Sequence, residues 1–325
     1  MSDIPLTLAE LVSQLNWSAA EQFSAITGCN YLLIDLRNDY DILLPPNRPN
    51  CPVIGIGDIN QLPPAAVTLM DVVVTEPQKL DNVITGISRS PIAAAAATHL
   101  SRHNENVSIE DGLLAESLSY STLQHGKDFE TWLSSRGSDH SSDTAAGLTV
   151  DREDDVMTLC FDRPAKHNAY SAAMRDALCE ALQAVLLDEQ IRKVIVKGNG
   201  PSFCSGGDLD EFGLARDAAE AHLTRMTRSA ARLIWQCKDR IEFHLHGACI
   251  GAGIELAAFS DAVIAAPGSF FQLPEVAFGL VPGAGGTVSL VRRIGRLHFN
   301  QLALSGERLD LATAQSWGLI DSIAQ

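Results

Sequence analysis

The sequence predicts an α/β protein built in two halves, and three observations carry that expectation. Residues 148–325 alternate apolar runs of strand length, such as VMTLCF and KVIVK, with segments of helical periodicity. Two strand-like runs there lead into glycine-rich turns that open helices, the order of an α/β layer structure. The stretch from Ser134 to Gly147, SSRGSDHSSDTAAG, has no apolar periodicity and separates a first half with the same rhythm.

In chain order, Tyr31 to Leu36, Pro52 to Ile56 and Asp71 to Val74 read as buried strands. Asp81 to His103 and Glu110 to Ser134 read as two helices, the first carrying Ser90-Pro91 and packed with alanines. Past the seam, Val156 to Phe161 is a strand that turns at Arg163-Pro164. Ser171 caps a helix with Met174, Ala177, Leu178, Ala181, Leu182 and Val185 at helical spacing. Lys193 to Lys197 is a strand leading into GNGPSFCSGGD. Ile241 to Leu245 leads through GACIGAG into a helix over Glu255 to Phe259, and Ala262 to Ala265 is a further strand.

Composition narrows the function classes. The 325 residues are 46% hydrophobic and 20% charged with mean hydropathy +0.06, ordinary material for a folded core. The longest weakly polar stretch, Ala248 to Phe259, contains Glu255 and is shorter than the ~20 residues that span a bilayer. The N-terminus has acids where a signal peptide has a basic region. A net charge of -16 argues against nucleic acid or an anionic membrane as partner. Seven cysteines without CxxC spacing imply reduced thiols, a cytoplasmic setting, and neither a disulfide framework nor a zinc site.

The chemistry lies in the two glycine-rich turns and two glutamates. Turns of this kind present free N–H groups at the positive end of a helix, and two aimed at one oxygen make an oxyanion hole. Taken singly, each is equally a packing turn; neither fits GxGxxG, GxSxG or a P-loop. Glu255 and Glu275 each sit in apolar, glycine-rich surroundings, either as surface charges or as buried acids with raised pKa. His244 and His246 share a strand face without an evident third metal ligand, and Cys204 has no nominated partner base. Arg292, Arg293 and Arg296 either meet phosphate or form a solvated helix end. Trp235 and Phe271 either shape a pocket or fill core.

Residues from about 148 to 321 resemble the crotonase superfamily, the enoyl-CoA hydratase/isomerase family. The resemblance rests on RPAKHNAYS, PSFCSGGDLDEF, HGACIGAGIELAAFSDAVIAAP, FFQLPEVAFGLVPGAGGT and SGERLDLATAQSWGLID, in the family's order. It implies a repeated ββα spiral core with a helical capping and trimerisation region. By the resemblance, the N–H groups of Gly207 and Ala252 form the oxyanion hole around an acyl-CoA thioester carbonyl. Lys166, His167, Asn168 and Ala169, with Ser205, Gly206, Asp208 and Leu209, are implied to bind CoA. Glu255 and Glu275 match the two glutamates of the hydratases, one assisting water at C3 and the other protonating C2. No metal and no cofactor beyond the substrate's own coenzyme A is implied, and the family assembles as trimers or hexamers.

The order of pieces departs from the family. The chain stops just past the GLID-like tail, while helices resembling the family's C-terminal ones precede the core at about 81–136. We therefore expect residues 1–136 to be a degenerate crotonase-like half that supplies capping helices. A linker at 137–147 would join it to the catalytic core at 148–325, functionally a circular permutation. Ser135-Arg136 replaces the usual lysine-arginine pair, and Glu242 interrupts a usually apolar strand. The leading expectation is hydration of a 2-enoyl-CoA. Isomerisation with Glu275 alone, and a non-catalytic assembly subunit, are the alternatives.

Overall fold

Strand alternation in the first half sorts its apolar side chains onto two faces. The computed structural model describes residues 5–17, 20–36, 47–59, 64–136, 146–215 and 217–324. Strands β1 (Leu6–Thr7), β2 (Leu32–Asp35), β3 (Val53–Ile56) and β4 (Val72–Val74) form a parallel sheet in that order. Leu32, Ile34 and Val53 share a small core with Leu8 and Leu11 of α1 (Leu8–Trp17) and Leu69 of α2 (Pro64–Leu69). Leu33, Ile54, Val72 and Val74 point the other way, into the core shared with the second half. A two-residue period with both sets buried is the pattern of a parallel sheet covered on both faces.

Four helices follow: α3 (Pro77–Arg89), α4 (Pro91–Asn104), α5 (Ile109–Leu123) and α6 (Lys127–Ser134). The sequence predicts only two here. Pro91 lacks the N–H that would continue α3, and Ser90 before it sits at φ -143, ψ 71, outside the helical region. Gly126, extended at φ -86, ψ 154, divides α5 from α6.

The second half contributes β5 (Leu148–Glu153), β6 (Val156–Phe161), β7 (Lys193–Gly198), β8 (Ile241–Leu245), β9 (Ala248–Ile250), β10 (Ala262–Ala265), β11 (Phe270–Gln272), β12 (Leu309–Asp310) and β13 (Ser322–Ile323). Its larger sheet has the order β13-β10-β8-β7-β6-β5, parallel except for the β5–β6 hairpin; the smaller has β12-β11-β9. Successive turns of chain place one strand in each sheet, β8 then β9 and β10 then β11, and a Cys204–Cys249 bridge gives the turn after β7 the same role. This is the expected spiral. Helices α7 (Ala172–Leu187), α8 (Ala218–Thr227), α9 (Ala230–Gln236), α10 (Ala252–Glu255), α11 (Gly286–Ile294), α12 (Arg296–Ser305) and α13 (Leu311–Ser316) complete it. Ser171 caps α7 by accepting from Met174 N–H, as the sequence indicated.

The two halves share one core. Ala93, Ala94 and Ala97 of α4 are fully buried in it, and α3 lies so close to α12 that a Cβ on Gly86 would be 1.8 Å from the Leu304 carbonyl oxygen. A charged knot reinforces the seam. Asp71, fully buried before β4, binds Arg102 of α4 (2.5 and 2.9 Å) and Arg296 of α12 (3.1 Å), and accepts from Val53 N–H. Of the expected linker at 137–147, residues 137–145 lie outside the described residues.

Candidate active site

The two glycine-rich turns lie side by side because their flanking segments are hydrogen-bonded: Cys204 N–H donates to Ala248 O, and Ile250 N–H to Cys204 O. Gly251 has φ 49, ψ -122, and a Cβ there would sit 2.3 Å from Glu275 Oε1, so both conformation and space require glycine. Beyond the turns, Gly207 and Ala252 both line a cavity of about 620 Å³. Among the described residues, neither N–H has a protein acceptor. Ala252 opens α10, so its amide is one of the orphan donors of a helix start.

Glu255 and Glu275 line the same cavity and are 2% and 8% exposed. Glu255, at the end of α10, accepts from Ala284 N–H (2.7 Å) and Gly286 N–H (2.9 Å) with Oε2. Burial, then the nearby Glu275 and Glu116 carboxyls, push its pKa well up, while the two amides oppose the shift. Glu275 follows Pro274 in a short turn of 3₁₀ helix, and its buried Oε2 has no hydrogen-bond partner among the described residues. Burial raises its pKa to about 8. Both carboxyls are thus pushed toward the protonated form, with Glu255 held by two amides that oppose the shift.

The first half also enters the site. Glu116 and Tyr120 of α5 line the cavity, and the Arg225 guanidinium lies 3.7 Å from the centre of the Tyr120 ring while donating to Gly283 O. The sequence reading missed all three. Glu116 had a detectable signal: it falls on the buried stripe of α5, with Ile109, Gly112, Leu113 and Tyr120 at helical spacing, where a charge is out of place.

The segment expected to bind CoA is a rigid loop beside the cavity, whose lining includes Asp208 and the following Tyr170. His167 and Asn168 have left-handed backbone, φ 51 and 54. The fully buried Asn168 side chain accepts from Arg163 N–H and donates to Asn199 O and Ser202 O, which leaves it shaping the loop. Arg163 donates to Ala169 O and pairs with Asp208 at 2.8 Å. Lys166 pairs with Asp210, the His167 ring meets Ser202 Oγ, and Ser205 N–H donates to His167 O. Gly206, with φ 95, makes the tight turn before Gly207, and Leu209 opens the short helical turn that Asp208 caps.

Other candidates resolve structurally. Glu242 and His244 are neighbours on one strand face, hydrogen-bonded to each other, and Lys193 pairs with Glu242 at 2.9 Å. That neutralises the odd charge in β8. His246 contacts Gly200 O, and the described residues contain no cluster able to hold a metal. Burial raises the Cys204 thiol to about 12, which makes it unreactive. Arg292, Arg293 and Arg296 all bind groups within the chain. Phe271 is core, and Trp235 is half-exposed under Lys238.

Two amides without a protein acceptor among the described residues and two buried carboxyls on one cavity of a ββα spiral define a class of protein, and comparison with known families agrees: residues 151–325 match the model for enoyl-CoA hydratase/isomerase. The chain belongs to that family, whose enzymes act on acyl-CoA. It is 36% identical over 176 residues to 2,3-dehydroadipyl-CoA hydratase of Escherichia coli (strain K12), covering 54% of this chain and 68% of that protein. It is 35% identical to 1,2-epoxyphenylacetyl-CoA isomerase of the same strain, over 52% of this chain and 66% of that one. Among solved structures, an enoyl-CoA hydratase of Mycobacterium smegmatis aligns with TM-score 0.51 and 30% identity, over 55% of this chain and 70% of that chain. A Thermobifida fusca YX protein solved with acetoacetyl-CoA aligns equally well, at 27% identity, over 55% and 73%.

Proposed function

We propose that this protein adds water across the 2,3-double bond of a 2-enoyl-CoA thioester. The carrying observation is the convergence of two acceptor-free amides, Gly207 and Ala252, with Glu255 and Glu275 on one cavity. The thioester oxygen takes both N–H groups, which stabilise the enolate charge that grows there as C3 is attacked. Glu255 orients the attacking water and takes up its proton; two amides fix its Oε2 and oppose the upward push that burial and the Glu275 and Glu116 carboxyls exert on its pKa. Glu275, protonated at neutral pH, delivers a proton to C2. Lys166, His167, Ala169, Ser205 and Leu209 lie along the coenzyme A moiety.

The helices of residues 81–136 complete the site within the chain, a role that α5 at the cavity wall supports. They belong to a first half, 1–136, that stands in for the family's C-terminal cap. The trimeric or hexameric assembly that the resemblance implies is likewise a proposal, checked by sedimentation mass, as is cytoplasmic residence. No described helix is long and apolar enough to cross a membrane.

Double-bond isomerisation is the second reading, supported by the unpaired Glu275 oxygen, which suffices as a lone proton shuttle. The experiment is loss of conjugated-thioester absorbance when the protein meets crotonyl-CoA, with Glu275→Gln alongside. Rapid loss in the wild type and little in the variant supports hydratase chemistry. Binding of the thioester with no absorbance change in either protein rejects it for this substrate.

A further inference from the structure

The loop from Gly283 to Thr287 carries four successive amides, and two carboxyls divide them in alternation. Ala284 and Gly286 N–H donate to Glu255; Gly285 N–H donates to Glu116 Oε1 at 2.7 Å, and Thr287 N–H to Glu116 Oε2 at 2.9 Å. Thr287 Oγ1 adds a third bond to Glu116, at 2.6 Å. Glu116 belongs to α5 and Glu255 to α10, so carboxyls from the two halves of the chain grip opposite sides of one strip of backbone. Asn104 of α4, fully buried, also reaches it, donating to Thr287 O at 2.9 Å. The strip opens α11, so these bonds take up orphan N–H groups of a helix start.

The consequence falls on Glu255. Among the described residues, the Glu255 carboxyl is anchored by the two amides interleaved with those that Glu116 holds. Freeing Gly285 and Thr287 lets Ala284 and Gly286 turn away, and the Glu255 carboxyl loses its aim. We infer that Glu116, supplied by the first half of the chain, is a positioning residue: it fixes the Gly283–Thr287 strip and through it the orientation of Glu255. A helix cap alone needs one oxygen acceptor; Glu116 commits both oxygens, and it does so at the cavity wall.

The role of Glu255 in turnover rests on the proposed hydratase reading, so the test pairs a measurement that needs no substrate with one that does. Glu116→Gln keeps the shape but puts an NH₂ against at least one of the three donors. In that variant, hydrogen exchange of the 283–290 segment should quicken at least about tenfold, the population change expected when about one net hydrogen bond is lost. If wild type hydrates crotonyl-CoA, kcat should fall by about tenfold or more with little change in KM.

A pH profile separates positioning from support of the fold. Among the described residues, the titratable groups that interact with the Glu255 carboxyl are Glu116, Glu275, Tyr120 and Cys204, and Arg225 faces Glu116 and Tyr120. Losing the Glu116 repulsion by itself lowers the Glu255 pKa, but loosening the Ala284 and Gly286 amides raises it, so a positioning role holds the acidic limb of kcat in place or moves it to higher pH. A merely structural role leaves only the lost repulsion, which moves that limb to lower pH. Retained exchange protection, or kcat within about twofold of wild type with the limb moved to lower pH, would overturn the inference. Should Glu116→Gln not fold, Thr287→Val removes the hydroxyl that donates to Glu116 and accepts from Asn104, while Asn104 keeps its bond to Thr287 O; faster exchange at 285–288 supports the inference and unchanged exchange overturns it. If wild type is silent on crotonyl-CoA, the hydratase reading fails for that substrate while the exchange measurement still decides the role of Glu116.

Discussion

Replacing Glu275 by glutamine should make the protein more stable in alkali while disabling it, and the size of the effect follows from burial. The wild-type carboxyl keeps its proton to about pH 8 in the folded chain, against 4.5 for an unperturbed glutamate. Between those values the folded state binds the extra proton. Stability therefore falls as pH rises, at ~1.4 kcal/mol per pH unit for one group. Integrated up to the folded-state value of about 8, that is roughly 5 kcal/mol lost to this carboxyl. Below the unfolded pKa the penalty is absent. Glutamine cannot ionise and escapes it, but its amide inherits the partnerless site of Oε2 at a pH-independent cost of about 1–3 kcal/mol. Urea unfolding of both proteins from about pH 5 to about pH 9 should show the variant weaker in acid, the curves crossing, and the variant stronger above about pH 8. A stability difference that stays constant across that range would refute the burial argument and with it the assignment of Glu275 as the resident acid.

Three other outcomes follow. Glu255→Gln should lower kcat for hydration by ~10²-fold or more, whereas an isomerase relying on Glu275 alone would hardly notice it; steady-state kinetics on a 2-enoyl-CoA distinguishes them. In the wild type, kcat/KM should decline as pH rises through about 8, where Glu275 gives up the proton it must deliver; a plateau well beyond that pH contradicts the role. Asp71→Ala should destabilise by ~3–5 kcal/mol in urea unfolding, because it takes their shared carboxylate from the partly buried Arg102 and the buried Arg296 and leaves Val53 N–H without its acceptor.

Much of the second half was legible in the sequence because its signals are local. The strand limits at Val156–Phe161, Ile241–Leu245 and Ala262–Ala265 coincide with the structure, and Ser171 is the cap its position suggested. Glu255, Glu275, Gly207 and Ala252, nominated by turn chemistry and resemblance, line one cavity. Glu116 escaped because its meaning is non-local: only contact between α5 and the start of α11 tells a misplaced surface charge from a buried acceptor. Arg225 and Tyr120 escaped for the same reason. The helix breaks at Ser90 and Gly126 were local but underweighted against strong apolar periodicity on either side. Asn168, nominated with the CoA segment, commits its side chain to the shape of the loop, which only the donors and acceptors around it disclose.

The most direct test of the account is the mass of the thioester product formed from crotonyl-CoA in water enriched in heavy oxygen. Hydration through Glu255 and Glu275 predicts a product heavier by one labelled water, with the label at C3 and none of it formed by Glu275→Gln. A product of unchanged mass, its double bond merely moved, or no conversion of a thioester that nonetheless binds, would contradict it.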